Sequence, residues 1–266
     1  MRERNDRVVA ILVARMGSER LPGKVLKRIA GKPALALQLE RLARAREIDD
    51  VVVATSDLAE DDAIAFLSHR LGHRVFRGSA SDVLHRVVAA ANWAQADTVV
   101  FITGDCVATC ADVVDVAVRT FRSCEVDYLS NLIVQTYPQG VDVRVCRRDI
   151  LERIDRQLAG DDPVVREHAY LYFEEHPDSF RIVNLYAPKH QHRPQWRLDL
   201  DYEEDLRLLR IIFGDLYPTN PSFDCTDLVD YLDVHPELLQ INQGMARKPQ
   251  RVDQQTDTTE EKGKLS

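Results

Sequence analysis

The sequence predicts an α/β fold of three layers, with a mostly parallel mixed sheet between two layers of helices. Largely apolar runs recur at residues 8–14, 51–56 and 99–103, as expected of strands that are buried on both faces. Segments with helical periodicity separate these runs, and such alternation is typical of a parallel sheet. The chain has 266 residues, of which 45% are hydrophobic and 29% charged, so it can build a sizeable core.

Strands and helices alternate through the first half of the chain. The strand at 8–14 runs directly into a loop that is rich in glycine and cations. Apolar spacing predicts four helices, at residues 34–46, 59–71, 82–94 and 112–121. A short strand at Val75-Phe76 precedes the third of them. This order predicts parallel pairing, because parallel strands need a crossover connection.

Beyond residue 125 the alternation breaks, and a small β-rich excursion is predicted over residues 126–185. The elements expected inside it are two strands and a helix, at residues 126–131, 141–145 and 147–158. The second strand alternates with period two, which places Asp142 and Arg144 on one face.

The last part of the folded chain combines an alternating segment with helices. Leu198 and Leu200 alternate with Asp199 and Asp201, which predicts a strand whose two carboxylates face one way. Two such carboxylates repel each other unless a cation lies between them. The helices expected after this strand lie at 203–213 and within 221–242.

One domain is predicted over residues 1–245, followed by a disordered tail at 246–266 that has almost no apolar side chain. The net charge of −8 argues against nucleic acid or a membrane surface as the partner. No apolar run reaches the length of a transmembrane helix. The five cysteines are irregularly spaced, as expected of buried thiols in a reducing compartment, so a cytoplasmic protein is predicted.

The loop after the first strand is the strongest signal for a ligand site. Residues 15–24 read Arg-Met-Gly-Ser-Glu-Arg-Leu-Pro-Gly-Lys, with two glycines and three cations where a buried strand ends. Glycines let the backbone approach an anion, and the cations neutralise its charge. The P-loop spacing is absent, because five residues separate Gly17 from Gly23, and no G-x-G-x-x-G occurs. The alternative is a surface turn with solvated cations.

Two aspartates that follow predicted strands are candidates for metal ligands. Asp105 stands beside Gly104 just past the strand at 99–103, a natural place for the carboxylate ligand of a hard cation. Asp201 ends the alternating segment. Each has a plainer alternative as the N-cap of the helix that follows it.

The stretch from Ala14 to Leu26, followed by Ile29-Ala30-Gly31-Lys32-Pro33, resembles the opening signature of the cytidylyltransferases. This family includes the CMP-KDO and CMP-acylneuraminate synthetases, and the most similar branch is named for spore coat polysaccharide biosynthesis. The likeness continues at residues 103–105 and 197–206 and covers roughly residues 8–242. It implies a Rossmann-like nucleotidyltransferase fold.

The resemblance implies an enzyme that transfers CMP from CTP to a hydroxyl group of a sugar or sugar acid, for the biosynthesis of surface polysaccharide or glycoconjugates. It implies a homodimer, and Mg²⁺, replaceable by Mn²⁺, as cofactor on Asp105 and Asp201. Arg15, Lys24 and Asp105 are the implied catalytic residues. The implied nucleotide-binding residues are Ala14, Gly17, Ser18, Arg20, Lys24, Ser56, Gly78 and Gly104.

The same resemblance assigns acceptor binding and dimerisation to the excursion at 126–185. The implied acceptor-binding residues are Asn131, Tyr137, Asp142, Arg144, Glu167 and His168. Many relatives have an acidic residue in place of Arg144, which indicates an acceptor with more negative charge here. Val107 and Asp199 also depart from the family pattern.

Two other classes of function stay open. Asp199-Leu200-Asp201 has the D-x-D form that nucleotide-sugar glycosyltransferases of related fold use for their metal ion. The loop at 15–24 speaks against that class, because a sugar nucleotide has no γ-phosphate to hold. A nucleotide-binding protein without catalysis is the other alternative, on the departures at Val107, Arg144 and Asp199.

Overall fold

The computed structural model describes residues 6–158 and 162–245. Their strands are, in chain order, β1 (Val8–Val13), β2 (Arg28–Ile29), β3 (Lys32–Pro33), β4 (Asp50–Ser56), β5 (Arg74–Gly78), β6 (Thr98–Thr103), β7 (Tyr128–Ser130), β8 (Arg144–Arg147) and β9 (Ile182–Asn184). Seven of them form one sheet in the order β5-β4-β1-β6-β8-β7-β9, and β2 and β3 form a separate antiparallel pair. Strand β8 is antiparallel to both of its neighbours, whereas the other neighbouring pairs are parallel. The predicted fold class is confirmed.

Nine α-helices pack around this sheet in the described residues. They are α1 (Ala34–Leu42), α2 (Asp62–Arg70), α3 (Val83–Trp93), α4 (Ala111–Ser123), α5 (Arg148–Leu158), α6 (Pro163–Glu167), α7 (Leu171–Glu175), α8 (Glu203–Leu216) and α9 (Cys225–Val234). The buried side chains fall into two clusters, one on each face of the sheet. Helices α1, α4, α8 and α9 contribute to the first cluster, and α3, α5 and α7 to the second. The three predicted layers follow from this division.

Strand β1 shows why the sheet is central. Val8, Ala10 and Leu12 belong to the cluster on one face, and Val9 and Ile11 to the cluster on the other. All five side chains are fully buried. A strand with both faces buried needs a continuous apolar sequence, and the run at 8–14 has one.

The segment 126–185 extends the central sheet. Its strands β7, β8 and β9 lie beyond β6, and helices α5, α6 and α7 connect β8 to β9. Strand β9 is the outer edge, so the predicted excursion forms one end of the molecule.

The strand predicted at 198–201 is not formed. Residues 198–201 are extended but lie outside the sheet, and a single bridge joins Arg197 to Gln139. The backbone amides of Leu198 and Leu200 donate to the carbonyl groups of Gln139 and Asp105, at 2.8 and 2.9 Å. The segment is therefore held between two loops, and its alternation reflects burial of the leucines on one side.

The tail predicted at 246–266 lies outside the described residues. Within residues 6–158 and 162–245, no helix combines the length and the apolar character needed to cross a lipid bilayer.

Candidate active site

A cavity of about 500 Å³ opens at the carboxyl ends of β1 and β6. Loops after these strands form one wall, and residues from β8, α6 and the segment 198–201 form the other. Thirteen of the residues predicted for the site line it: Ala14, Arg15, Gly17, Ser18, Arg20, Lys24, Gly104, Asp105, Asp142, Arg144, Glu167, His168 and Asp201. The volume is in the usual range for a small-molecule site.

The cation-rich loop is fixed by hydrogen bonds to its own backbone and to a buried acid. The amides of Ser18 and Gly23 donate to the carbonyl of Met16, and the amide of Met16 donates to Asp61 Oδ1 at 2.6 Å. Gly23 has a positive φ of 64°, a conformation that favours glycine, and it turns the chain into the short helical turn that begins at Lys24. The loop therefore presents its cations from a defined backbone.

Asp105 follows β6 where the ends of β1 and β6 are closest. The amide of Gly104 donates to the carbonyl of Val13 at 2.8 Å, and a Cβ at Gly104 would lie 3.0 Å from that oxygen. The Thr103 hydroxyl donates to Asp105 Oδ1 at 2.6 Å. A glycine is required for this close approach, and it places the Asp105 carboxylate at the mouth of the cavity.

Lys24 links the two aspartates that were predicted to bind metal. Its Nζ lies 3.2 Å from Asp105 Oδ2 and 2.8 Å from Asp201 Oδ1. Burial alone would lower the pKa of Lys24, but the charges of Asp105 and Asp201 and the hydrogen bonds to them outweigh it, so the pKa is raised. Lys24 is thus a cation at neutral pH. The sequence predicted the juxtaposition of these carboxylates, and the structure brings them together on one ammonium group.

Asp201 is the most heavily paired acid of the site. Its Oδ2 accepts from Arg197 Nη2 at 2.9 Å and lies 2.9 Å from Arg20 Nη2. Arg197 also pairs with Asp205, whose carboxylate accepts from the backbone amides of Asp201 and Tyr202. Asp205 thus fixes the backbone at Asp201. Asp201 does not cap helix α8, since the N-cap residue is Tyr202.

Asp199, Asp142 and Cys106 form a compact buried group behind the mouth. One ligand atom from each of them lies within 4.8 Å of the others. Burial raises the pKa of the Cys106 thiol well above its usual value, and the charges of Asp142, Asp105 and Asp199 add to the effect. Asp199 also lies 3.6 Å from Arg197 Nη1. The group holds a neutral thiol beside two acids.

Arg144, on β8, lines the same cavity as Lys24. Its guanidinium stacks over the ring of Tyr170, with Cζ 3.6 Å from the centroid, and only 4% of the residue is exposed. Among the described residues, Nε and Nη1 of Arg144 have no hydrogen-bond partner. Burial would lower the pKa of Arg144, but the nearby tyrosines, Asp142 and Glu174 outweigh it and raise the pKa. The charge is retained in a mostly apolar setting.

One ion pair spans the cavity between its two walls. Arg15, on the loop after β1, donates to Glu167 Oε1 at the end of α6, at 3.0 Å. Both side chains are about half exposed, at 48% each. Such a pair is weak and open to competition from a ligand.

Gly140 joins the segment before β8 to the segment that carries Asp199. Its φ is +94°, and an added Cβ would lie 2.5 Å from the carbonyl carbon of Leu198. The amide of Gly140 also donates to Asp142 Oδ1 at 3.1 Å. The two backbones are therefore in direct contact at this point, and only glycine fits.

Four residues predicted to contact ligand do not line the cavity. Ser56 is buried, and its hydroxyl donates to Asp61, so it supports the loop anchor. Gly78 packs against the side chain of Arg86. The Asn131 amide is fully buried and bonds to the backbone of residues 141 and 143. Tyr137 is also buried, with 2% exposed. In the structure these residues support the loops around the cavity.

The cavity residues that were not predicted include Arg86, Tyr170 and Thr103. Burial lowers the pKa of Arg86, and repulsion from Arg15 adds to it. Its Nε has no hydrogen-bond partner in the described residues. The signal in the sequence was an arginine on the apolar side of a predicted helix, between Val83 and Val87.

A second cavity of about 550 Å³ lies at the opposite edge of the sheet, around the start of β6. Its four arginines, Arg122, Arg147, Arg148 and Arg181, are paired with acidic side chains. The cavity at the carboxyl ends of the strands therefore remains the candidate active site.

Comparison with known proteins gives a consistent result. A family model described as cytidylyltransferase matches residues 9–214. The uncharacterized protein MJ1063 of Methanocaldococcus jannaschii is 33% identical over 92% of this chain and 98% of its own length. The spore coat polysaccharide biosynthesis protein SpsF of Bacillus subtilis is 30% identical, over 88% of this chain and 96% of its own.

Solved structures show the same architecture. A cytidylyltransferase from Leptospira borgpetersenii has a TM-score of 0.84 at 30% identity, and the match covers 91% of this chain and 100% of that one. A CMP-KDO synthetase in complex with CTP has a TM-score of 0.58 at 19% identity, with 79% and 99% covered. A manganese complex of Rv0371C from Mycobacterium tuberculosis has a TM-score of 0.55 at 13% identity, with 77% and 98% covered. The last two show a shared fold.

Proposed function

Because the chain belongs to the cytidylyltransferase family and is thus a nucleotidyltransferase, we propose that it transfers CMP from CTP to a hydroxyl group of a sugar or sugar acid. The observation that carries the proposal is the pairing of Asp105 and Asp201 on Lys24, beside the cation-rich loop. One cavity therefore contains both cations that can bind a triphosphate and carboxylates that can bind a metal ion. The product would be a CMP-activated sugar for surface polysaccharide or glycoconjugate biosynthesis.

The nucleotide end of the cavity lies at the loop after β1. Arg15, Arg20 and Lys24 line it and offer three cations to the triphosphate, while Gly17 leaves room for close approach of the backbone. The unpredicted Arg86 lies near Arg15 and adds a fourth cation. A net charge of −8 makes these local cations the attractive feature for an anionic ligand.

Asp105 and Asp201 fit a divalent cation, which they would hold together with phosphate oxygens. Their carboxylates already share one cation, the ammonium of Lys24, and oxygen donors of this kind are those that Mg²⁺ and Mn²⁺ prefer. Bound there, the ion would offset the charge that develops on the phosphate. The distant neighbour solved with manganese supports a divalent requirement.

The acceptor end lies around Arg144, Tyr170 and His168. Asp142 and Glu167 also line this end and can accept hydrogen bonds from sugar hydroxyls. Arg144 is suited to a carboxylate or phosphate of the acceptor, because its guanidinium carries hydrogen-bond donors that no described residue uses. The acceptor is therefore proposed to be an acidic sugar.

The reaction follows from the placement of the two ends. The acceptor hydroxyl oxygen forms a bond to the α-phosphorus, the bond from that phosphorus to the β-bridging oxygen breaks, and pyrophosphate leaves. The hydroxyl proton is released. Positioning of the two substrates and neutralisation of charge by the loop cations supply the catalysis, as is usual in this chemistry.

The proposal is tested by incubating the protein with CTP, Mg²⁺ and a panel of 2-keto sugar acids and neutral sugars. Pyrophosphate release with formation of a CMP-sugar, detected by mass spectrometry, is the expected result with at least one acid. ATP, GTP and UTP serve as controls for base selection. Release of UDP from UDP-sugars would instead indicate a glycosyltransferase, and no turnover with any pair would favour a protein without catalysis.

We also propose that the edge at β9 forms a homodimer contact. Ile133, Val134 and Tyr186 are exposed beside this strand, at 42%, 47% and 59%, and Asn184 of β9 bonds to Val134. A free strand edge with exposed apolar side chains is suited to pairing with a second copy. Sedimentation analysis of the wild type and of Tyr186→Glu tests this, and a monomeric wild type would exclude it.

A cytoplasmic site of action is proposed as well, supported by the chemistry of the cysteines. All five are free thiols, and four of them are buried. A reducing compartment preserves such thiols. Fractionation of the native host with an antibody against the protein would test the location.

A further inference from the structure

We infer that the ammonium group of Lys24 occupies the divalent-cation position until a triphosphate arrives, so that nucleotide and metal ion bind cooperatively. This inference rests on the proposed function and concerns its regulation by the order of binding. It requires only the nucleotide end of the cavity, so its test needs no acceptor.

Lys24 lies as a counter-ion between the carboxylates of Asp105 and Asp201. Nζ is 3.2 Å from Asp105 Oδ2 and 2.8 Å from Asp201 Oδ1, and only 14% of the side chain is exposed. A surface lysine would place its charge in water. Here the ammonium faces inward, at the point where the two carboxylates meet.

The other carboxylate oxygens are also engaged. Asp201 Oδ2 is held by Arg20 and Arg197, each at 2.9 Å, and Asp105 Oδ1 accepts from the Thr103 hydroxyl at 2.6 Å. A divalent cation must therefore displace a partner before it can bind both acids. It must displace Lys24, because an ammonium and a dication at the same point would repel each other strongly.

A triphosphate supplies the alternative partner that Lys24 needs. The lysine side chain is a flexible stem with a compact charge, so Nζ can turn without movement of the backbone. The other loop cations, Arg15 and Arg20, attract phosphate to the same place. Once Nζ turns to the phosphate, Asp105 Oδ2 and Asp201 Oδ1 lose the cation between them, and the affinity of these two oxygens for a dication rises.

Coupling of this kind is reciprocal. If the nucleotide raises the affinity for the metal ion, the metal ion raises the affinity for the nucleotide by the same factor, commonly about 5–150-fold. The protein would then bind little free metal ion. It would also discriminate against nucleotides that carry no phosphate able to reach Lys24.

The test is the binding of Mn²⁺ to the nucleotide-free protein, followed by the electron paramagnetic resonance signal of free Mn²⁺. We expect weak binding by the wild type and binding at least about tenfold tighter by Lys24→Met, which keeps the length of the side chain and removes its charge. Lys24→Gln is a second neutral variant in case the first folds poorly. Thermal unfolding verifies that each variant is folded.

Two lysine variants serve as matched controls. Lys27→Met removes a charge from the same segment at a residue that pairs with Glu203 outside the cavity, and it should bind Mn²⁺ like the wild type. Lys24→Arg keeps the positive charge and should also bind Mn²⁺ weakly.

The outcomes separate this inference from the proposed function. Equal Mn²⁺ affinity of the wild type and both neutral variants would overturn the role of Lys24, as would tight binding of Mn²⁺ by the nucleotide-free wild type. If Asp105→Asn and Asp201→Asn bind Mn²⁺ as well as the wild type when CTP is present, the carboxylates are not the metal site, and the proposed function itself loses its cofactor assignment.

Discussion

The two ends of the cavity treat positive charge in opposite ways. At the nucleotide end, Lys24 and Arg20 are paired with acids at distances of 2.8 to 3.2 Å. At the acceptor end, Arg144 is stacked on Tyr170, and two of its nitrogens have no hydrogen-bond partner in the part of the chain that the structure describes. A ligand at the first end must exchange partners with the protein. At the second end, we expect an acidic ligand to use donors that no described residue uses.

This difference suggests that the two ends of the cavity have different roles in binding. Exchange of one set of ion pairs for another gives a modest net gain, because each broken pair must be replaced. An unsatisfied buried donor instead costs free energy that only a suitable ligand recovers. We therefore expect the nucleotide end to control turnover and metal dependence, and the acceptor end to control which sugar is accepted.

The largest effect is expected from the carboxylates of the nucleotide end. Asp105→Asn and Asp201→Asn should each lower turnover by about a hundredfold or more, since loss of even an outer partner of a metal site costs about 10–100-fold. Asp199→Asn should lose much less, because Asp199 lies behind the mouth with Cys106 and Asp142. Steady-state rates with Mg²⁺ and with EDTA measure this.

Activity that persists in EDTA would contradict the assignment of both ligands. Thermal unfolding of the three variants is the control, because Asp201 also pairs with two arginines, and its loss affects the fold as well.

A smaller effect on one substrate alone is expected at Lys24. Lys24 gives up its pairs with Asp105 and Asp201 to contact phosphate, so the exchange is worth up to about 1.5 kcal/mol net, and Lys24→Met should weaken CTP binding by up to about tenfold. Lys27→Met is the matched control. Calorimetric titration of CTP in the presence of Mg²⁺ measures the change, and equal affinities of Lys24→Met and wild type would remove Lys24 from the nucleotide end.

At the acceptor end, Arg144→Met should raise the KM for the acidic acceptor about tenfold and leave the KM for CTP unchanged. Methionine is chosen because a carboxylate at this position would lie near Asp142 and Glu174. Tyr170→Phe is a control, since it keeps an aromatic ring under the guanidinium. Equal changes in both KM values would show that Arg144 acts on the fold and not on the acceptor.

The smallest effect is expected from the pair that links the two ends. Glu167→Gln breaks the half-exposed contact to Arg15 and should change the free energy of unfolding by no more than about 1 kcal/mol. The released Arg15 becomes available to the triphosphate, so CTP should bind slightly tighter. Denaturant unfolding and CTP titration on the same sample measure both, and weaker CTP binding would mean that Glu167 positions Arg15 for the nucleotide.

The elements of the first half of the fold were predictable because their signals are local. The runs at β1 and β6 are apolar except for Thr98 and Thr103 at the ends of β6, as is typical of strands buried on both faces. The order of the strands was not predictable, because β8 lies between β6 and β7 through contacts far apart in sequence. The prediction of a strand at 198–201 was wrong for a related reason. Alternation shows which side of an extended segment is buried, but it does not show whether a partner strand lies beside it.

The part of the site that could be predicted consists of residues that directly follow buried strands. Asp105 and Lys24 follow buried strands at one edge of the sheet, and parallel pairing brings them together. Asn131 bonds to the backbone of residues 141 and 143, and the sequence does not show whether such a polar residue serves a ligand or the backbone. Arg86 was not predicted, because an arginine within an amphipathic helix is usually exposed, whereas α3 buries it beside the cavity.

Because Gly140 contacts Leu198, two stretches that are distant in sequence depend on each other in any chimaera with a relative. The loop before β8 lies at the proposed acceptor end, and the stretch 198–201 carries the proposed metal ligand Asp201, yet their backbones touch where any side chain would collide. A chimaera that imports only the acceptor loop of a relative would disturb the neighbouring stretch and its charges. A change of acceptor in this scaffold should therefore be made by transplanting both segments together.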